Sequence, residues 1–179
     1  MADPKLLTIC GSLRKGSFNR KLIENAVEAF GAAEVMDADL NLPLFNEDLE
    51  AAEGIPASVQ ALADQLEAAD GVIISCPEYN KGITGVLKNA LDWISRTKGT
   101  KFAGKPTVIL SANAGRTGGE TGQFTVVHCL LPMQPQLVLG PMVLVAGAHN
   151  EFDEAGKLKG ELYQKALSAR MEALRAALG

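Results

Sequence analysis

Three short stretches hold most of the residues that can do chemistry. The first is Gly11 to Asn19, GSLRKGSFN. Ser12, Ser17 and Asn19 offer hydroxyl and amide donors. Arg14 adds a planar cationic fork of the kind that grips phosphate. Gly11 and Gly16 have Gly-x-x-x-x-Gly spacing, but Ser17 stands where a triphosphate-binding loop carries lysine. The dinucleotide pattern Gly-x-Gly-x-x-Gly is absent as well. A phosphate monoester therefore fits this stretch better than a triphosphate or a pyrophosphate. A capping Ser17 and a solvated Arg14 account for the same residues equally well.

The second stretch is Cys76 to Thr84, CPEYNKGIT. Pro77 stiffens a turn. Tyr79 can cover a flat ring, and the backbone around Asn80 can hydrogen-bond the ring's polar edge. Glu78 is a proton source, an interface residue or a hydrogen-bonding residue. The plain alternative makes Tyr79 a surface aromatic and Asn80 a turn residue. The third stretch is Ser111 to Gly122, SANAGRTGGETG, with four glycines in twelve residues. So few side chains leave room for a flat ligand with one open face. An ordinary surface loop has the same composition.

Other chemistries find little support. His128 and His149 lie outside all three stretches, so no Ser-His-Asp set is expected there. Cys10, Cys76 and Cys129 are odd in number and lack Cys-x-x-Cys spacing, which argues against a disulfide framework or a zinc site. Buried thiols are the expected reading. The chain has 179 residues, 47% hydrophobic and 21% charged, with a net charge of -4. These values suit one globular domain over residues 1–179. No block of Lys and Arg invites nucleic acid or an anionic membrane. The first apolar run, Leu6 to Cys10, is too short for a leader or a span. A cytoplasmic protein is expected.

The elements that must position the stretches follow from turn signals and periodicity. Lys5 to Cys10 reads as a strand. Leu22, Ile23, Ala26, Val27 and Phe30 recur at helical spacing before Gly31. Glu34 to Asp37 is a brief second strand, and Leu40 to Gly54 reads as a loop around Pro43. Val59 to Leu66 is helical. Gly71 to Cys76 is a continuous apolar run, suited to a parallel strand covered on both faces. Ile83 to Ile94 is a helix, Lys105 to Ala112 a strand, and Gly122 to Leu131 a weaker helix. Leu137 to Ala146 reads as a fifth strand, with Gly140-Pro141 marking a bend or an edge. Leu162 to Leu178 closes the chain as a helix. The alternation predicts a three-layer α/β sandwich, a five-stranded parallel sheet in the order 2-1-3-4-5 with helices on both faces. In such sheets ligands bind beyond the carboxyl ends of the strands. The three stretches follow strands one, three and four, so they meet at that edge.

GSLRKGSFNRKL, PEYNKGITGVLKNALDW and SANAGRTGG, in this order, resemble the NADPH-dependent FMN reductase family. The branch of bacterial chromate and quinone reductases is the most similar. The resemblance runs from about Leu7 to Gly147, and Pro77 to Trp93 is its most specific part. It implies a flavodoxin-like fold, bound FMN and ping-pong hydride transfer. NADPH or NADH would be the electron donor. Quinones, chromate, azo compounds or free flavin would be acceptors. By motif position, Ser12, Arg14, Ser17 and Asn19 would hold the FMN phosphate. Pro77, Glu78, Tyr79 and Asn80 would flank the isoalloxazine. Ser111, Gly115 and Arg116 would close the other side. One departure stands out: relatives often carry Ser-x-Ser-Pro-Gly where this chain has Ser111-Ala112-Asn113-Ala114-Gly115. The resemblance also implies a homodimer or homotetramer. A non-enzymatic electron carrier and a flavin-binding regulatory protein are the competing readings.

Overall fold

The computed structural model describes residues 3–99 and 101–179. Strand β1 (Lys5–Cys10) leads to helix α1 (Phe18–Phe30) and strand β2 (Glu34–Asp37). Helices α2 (Glu47–Glu53) and α3 (Ala57–Ala68) precede strand β3 (Gly71–Ser75). Helix α4 (Gly85–Arg96), strand β4 (Pro106–Ala112) and helix α5 (Glu120–Leu130) follow. Two short strands, β5 (Gln136–Leu137) and β6 (Leu144–Val145), come before helix α6 (Glu161–Leu178). The sheet is parallel, in the order β2-β1-β3-β4-β5, with β6 also beside β4.

Alternation along each strand divides the core between the two faces. Leu6, Cys10, Ile73, Val108 and Leu110 pack with Leu22, Ile23, Ala26 and Phe30 of α1 and with Leu167, Met171 and Leu174 of α6. Leu7, Ile9, Val72, Ile74 and Ile109 pack with Leu62 and Leu66 of α3, Leu87 and Leu91 of α4, and Val126 and Leu130 of α5. Every residue of β3 and β4 is buried, as strands covered on both faces must be. Cys10 pairs with Ser75, and Ser75 with Leu110. That register brings the carboxyl ends of β1, β3 and β4 into one row.

Two segments differ from their sequence reading. The expected fifth strand, Leu137 to Ala146, opens in its middle. Val138 donates to Thr107, and Ser111 and Asn113 donate to Val143 and Val145, so both ends pair with β4. Between them Pro141 has no N–H to give. The carbonyl of Gly140 turns inward instead, to the buried Arg170 of α6 at 2.9 Å. Burial pushes that guanidinium below its ordinary pKa. The segment Leu40 to Gly54, read as a loop, contains α2. That helix buries no residue, so it carries no apolar period to read. Asn46 caps it, and its Glu50 pairs with Arg96 at 2.8 Å. Of the thiols, Cys10 and Cys76 are buried and Cys129 is half-buried.

Candidate active site at the carboxyl edge

The first loop ends in an open helix N-terminus. Ser17 is extended (φ -66°, ψ 126°) and its hydroxyl accepts from the Arg20 N–H. Its own N–H closes the turn onto the Arg14 carbonyl at 3.0 Å. Arg14 is exposed. Its guanidinium lies 5.2 Å from the centroid of the Phe18 ring, and among the described residues it meets no carboxylate. Arg20, by contrast, is taken by Asp37 at 2.7 Å. Asn19 needs correction as a donor to an outside ligand. It is buried, and its side-chain oxygen accepts from the Ser75 hydroxyl and the Ala112 N–H at 2.8 and 3.0 Å. Its amide donates to the Ala112 carbonyl at 2.8 Å. Asn19 thus ties α1 to β3 and β4, with its side chain buried beneath the edge.

The second loop is a tight hairpin. Tyr79 and Gly82 exchange both backbone hydrogen bonds, at 3.0 and 3.1 Å. Asn80 and Lys81 between them have φ of 51° and 64°. Positive φ at both central positions matches the strand-compatible two-residue turn. For non-glycine residues that conformation costs on the order of 1 kcal/mol each, a strain that gathers at functional sites. The turn lifts Tyr79 to 58% exposure. Pro77 behind it is buried.

Glu78 faces the third loop. One carboxylate oxygen accepts from the Gly122 N–H at 2.9 Å, and the other lies 3.2 Å from the Lys81 ammonium. Gly122 is the third residue of α5, whose N-cap, Gly119, is left-handed (φ 94°) and brings no side-chain cap. Glu78 therefore caps α5 from another loop. A Cβ at Gly122 would come within 2.9 Å of the Glu78 Cβ, so glycine permits this approach. Burial pushes the Glu78 carboxyl up, but the N–H groups of Gly122 and Thr121 and the Lys81 ammonium outweigh it. The group is held below the ordinary carboxylate value.

In the third loop Ser111 also needs correction. It is fully buried; its hydroxyl donates to the Gly118 carbonyl at 2.6 Å and accepts from the Gln123 amide at 3.0 Å. It holds the loop's return and reaches no surface. Gly115 and Arg116 are exposed. A cavity of about 310 Å³ opens between the second and third loops, lined by Glu78, Lys81, Asn113, Gly115, Arg116, Thr117 and Gly119. A larger hollow of about 510 Å³ lies away from this edge, between the C-terminal halves of α4 and α5.

The expected residues therefore separate into two groups. Ser12, Arg14, Tyr79, Asn80, Gly115 and Arg116 reach the surface of one edge. Ser17, Asn19, Pro77 and Ser111 are buried beneath it, and Glu78 bridges two loops. Sequence reasoning missed three residues. Thr84 donates to the Gly11 carbonyl at 2.8 Å, joining the second loop to the first. Asn113 accepts from the Glu78 N–H at 3.1 Å, while its buried Nδ2 has no partner. Lys81 lines the cavity. The motif departure at Asn113 was the one available signal. An orphaned amide beside an open cavity is what a polar ligand edge would satisfy.

The doubly wound sheet with its ligand loops at the carboxyl edge defines a flavodoxin-like protein. Residues 4–150 match the NADPH-dependent FMN reductase family, and the chain belongs to it. An NAD(P)H-dependent FMN reductase of Pseudomonas aeruginosa is 37% identical over 175 residues, covering 97% of this chain and 94% of that protein. A quinone reductase of Escherichia coli is 36% identical, covering 83% of this chain and 81% of its own length. Among solved structures, FerB of Paracoccus denitrificans, a flavoenzyme NAD(P)H:(acceptor) oxidoreductase, superposes with a TM-score of 0.87. It is 28% identical and covers 98% of this chain and 97% of its own. Membership makes the chain an FMN-dependent, NAD(P)H-linked oxidoreductase.

Proposed function

We propose that the three loops hold FMN with its phosphate at the first and its ring between the second and third, for electron passage from NAD(P)H to a small acceptor. One observation carries this arrangement. Of the helix N-termini at this edge, that of α5 is met by the Glu78 carboxylate, whereas that of α1 meets no carboxylate and follows an arginine that makes no ion pair among the described residues. The phosphate would sit against the α1 terminus, with Ser12 and Ser17 nearby and Arg14 supplying charge. Tyr79 would cover the ring, and Pro77, Asn80 and Glu78 would shape that side. Gly115 and Arg116 would close the other, with the Asn113 amide available to the ring's polar edge.

When bound, FMN supplies a two-electron carrier that one substrate loads and another unloads. The chain's residues hold and orient it. Arg116 sets a positive potential at the cavity and favours negative charge there, while the charge of Lys81 is offset by Glu78. Glu78 does not serve as a proton source in this reading. Its carboxylate stays ionised under Gly122 and Lys81.

Quinones fit best as acceptors, with chromate, azo compounds and free flavin as further candidates for so open a slot. The protein acts as one domain, in the cytoplasm, as a homodimer or homotetramer. Exposed Phe124 on α5 and Leu131 just after it support self-association. No helix among the described residues is long and apolar enough to cross a membrane. The test is steady-state NAD(P)H oxidation by the purified yellow protein, with a quinone and with each other acceptor. Turnover with a quinone is expected. A flavin that is reduced once but does not turn over would mean an electron carrier instead.

A further inference from the structure

The hairpin Glu151 to Lys159 lies beyond the family match, yet it leans on the first loop. Phe152 bridges Leu158, and Lys159 donates to the Glu151 carbonyl at 2.8 Å. Asn25 of α1 grips the hairpin, donating to Gly156 at 2.8 Å and accepting from Leu158 at 3.0 Å. Lys157 adds an ion pair to Glu28. So anchored, Phe152 lies nearly buried beside Phe18, with ring centroids 5.9 Å apart and planes 9° apart. Arg14 rests on Phe18 at 5.2 Å, and Lys21 lies over Phe152 at 5.9 Å. The result is a run of cation, ring, ring and cation along the flank of the first loop.

We infer that Phe152 is a positioning residue that fixes Phe18 and, through it, the Arg14 guanidinium for the ligand's phosphate. An exposed arginine surrenders rotamer freedom when it grips an anion. Stacked on a ring that is itself braced, Arg14 has surrendered part of it before the ligand arrives. The inference rests on the reading that Arg14 contacts the phosphate.

The test titrates the full chain, freed of flavin, with FMN and with riboflavin, which lacks the phosphate. Phe152→Ala weakens FMN about two- to fivefold, the weight of one exposed cation–π contact, and leaves riboflavin unchanged. Phe152→Tyr restores FMN affinity. Phe152→Ala added to Arg14→Ala has no further effect. Phe152→Leu, which keeps bulk without a flat face, reproduces the loss and serves if the alanine variant unfolds. Equal weakening of both ligands, or a loss that persists without Arg14, overturns the inference. A loss in Arg14→Ala with none in Phe152→Ala overturns it alone. No loss in Arg14→Ala overturns the phosphate reading itself.

Discussion

Helices α1 and α5 both begin at the carboxyl edge of the sheet, and they begin differently. Helix α1 starts from its own serine, with a free arginine one turn before it. Helix α5 starts from a glycine and is capped by a carboxylate borrowed from the second loop. A helix N-terminus attracts an anion through its oriented N–H groups and its dipole. At α5 the chain's own Glu78 already meets that demand. At α1 an external anion can meet it. In the proposed arrangement this contrast would orient a ligand with one charged end and one flat end. It also separates two kinds of residue, those that touch a ligand and those that hold the touching residues in place.

The largest effect is expected where the start of α1 is tied to the sheet. Asn19→Ala strands the Ser75 hydroxyl and the Ala112 backbone in the core. Stranded buried groups cost roughly 1–3 kcal/mol each, so about 3 kcal/mol of stability is lost, read as an earlier midpoint in chemical denaturation. A midpoint unchanged from the parent would show that Asn19 faces a ligand after all.

Arg14→Ala probes the open end. FMN affinity falls about 10- to 100-fold, since a charge-assisted contact contributes roughly 1.5–3 kcal/mol. The stability of the flavin-free chain stays as it was, because Arg14 is exposed. Calorimetric titration reads the first, and a thermal melt the second.

Glu78→Gln probes the closed end, with a smaller effect tied to pH. The folded-state pKa of Glu78 is depressed. Its stabilising contribution is therefore full above the ordinary carboxylate value of about 4.3 and is lost as pH falls through the lowered one. Melting temperature followed downward from about pH 5 should drop less steeply in Glu78→Gln than in the parent. Parallel curves would remove Glu78 from its capping role.

Much of this edge could be read before any coordinates. The apolar runs of β3 and β4 announce strands covered on both faces, and the alternation of elements gives the sheet order. Arg14 and Tyr79 stand where their motifs place them. Polar residues in a loop do not declare which way they face, and here sequence reading stops. Ser111 and Asn19 belong to types that suit a ligand or a buried network equally. Only the packing of α1 over β3 and β4 turns Asn19 inward, and only the return of the third loop into α5 encloses Ser111. Helix α2 was hidden because it packs no apolar face. Glu78 was recognised without its partner, since Gly122 lies 44 residues further along.

The most direct test of the account is the ratio of FMN to riboflavin affinity in the parent chain, in Arg14→Ala and in Glu78→Gln. The parent should prefer FMN by at least about tenfold, the weight of one charge-assisted contact. Arg14→Ala should erase most of that preference, and Glu78→Gln should leave it in place. A preference that survives Arg14→Ala but collapses in Glu78→Gln would put the phosphate at the wrong helix and contradict the account.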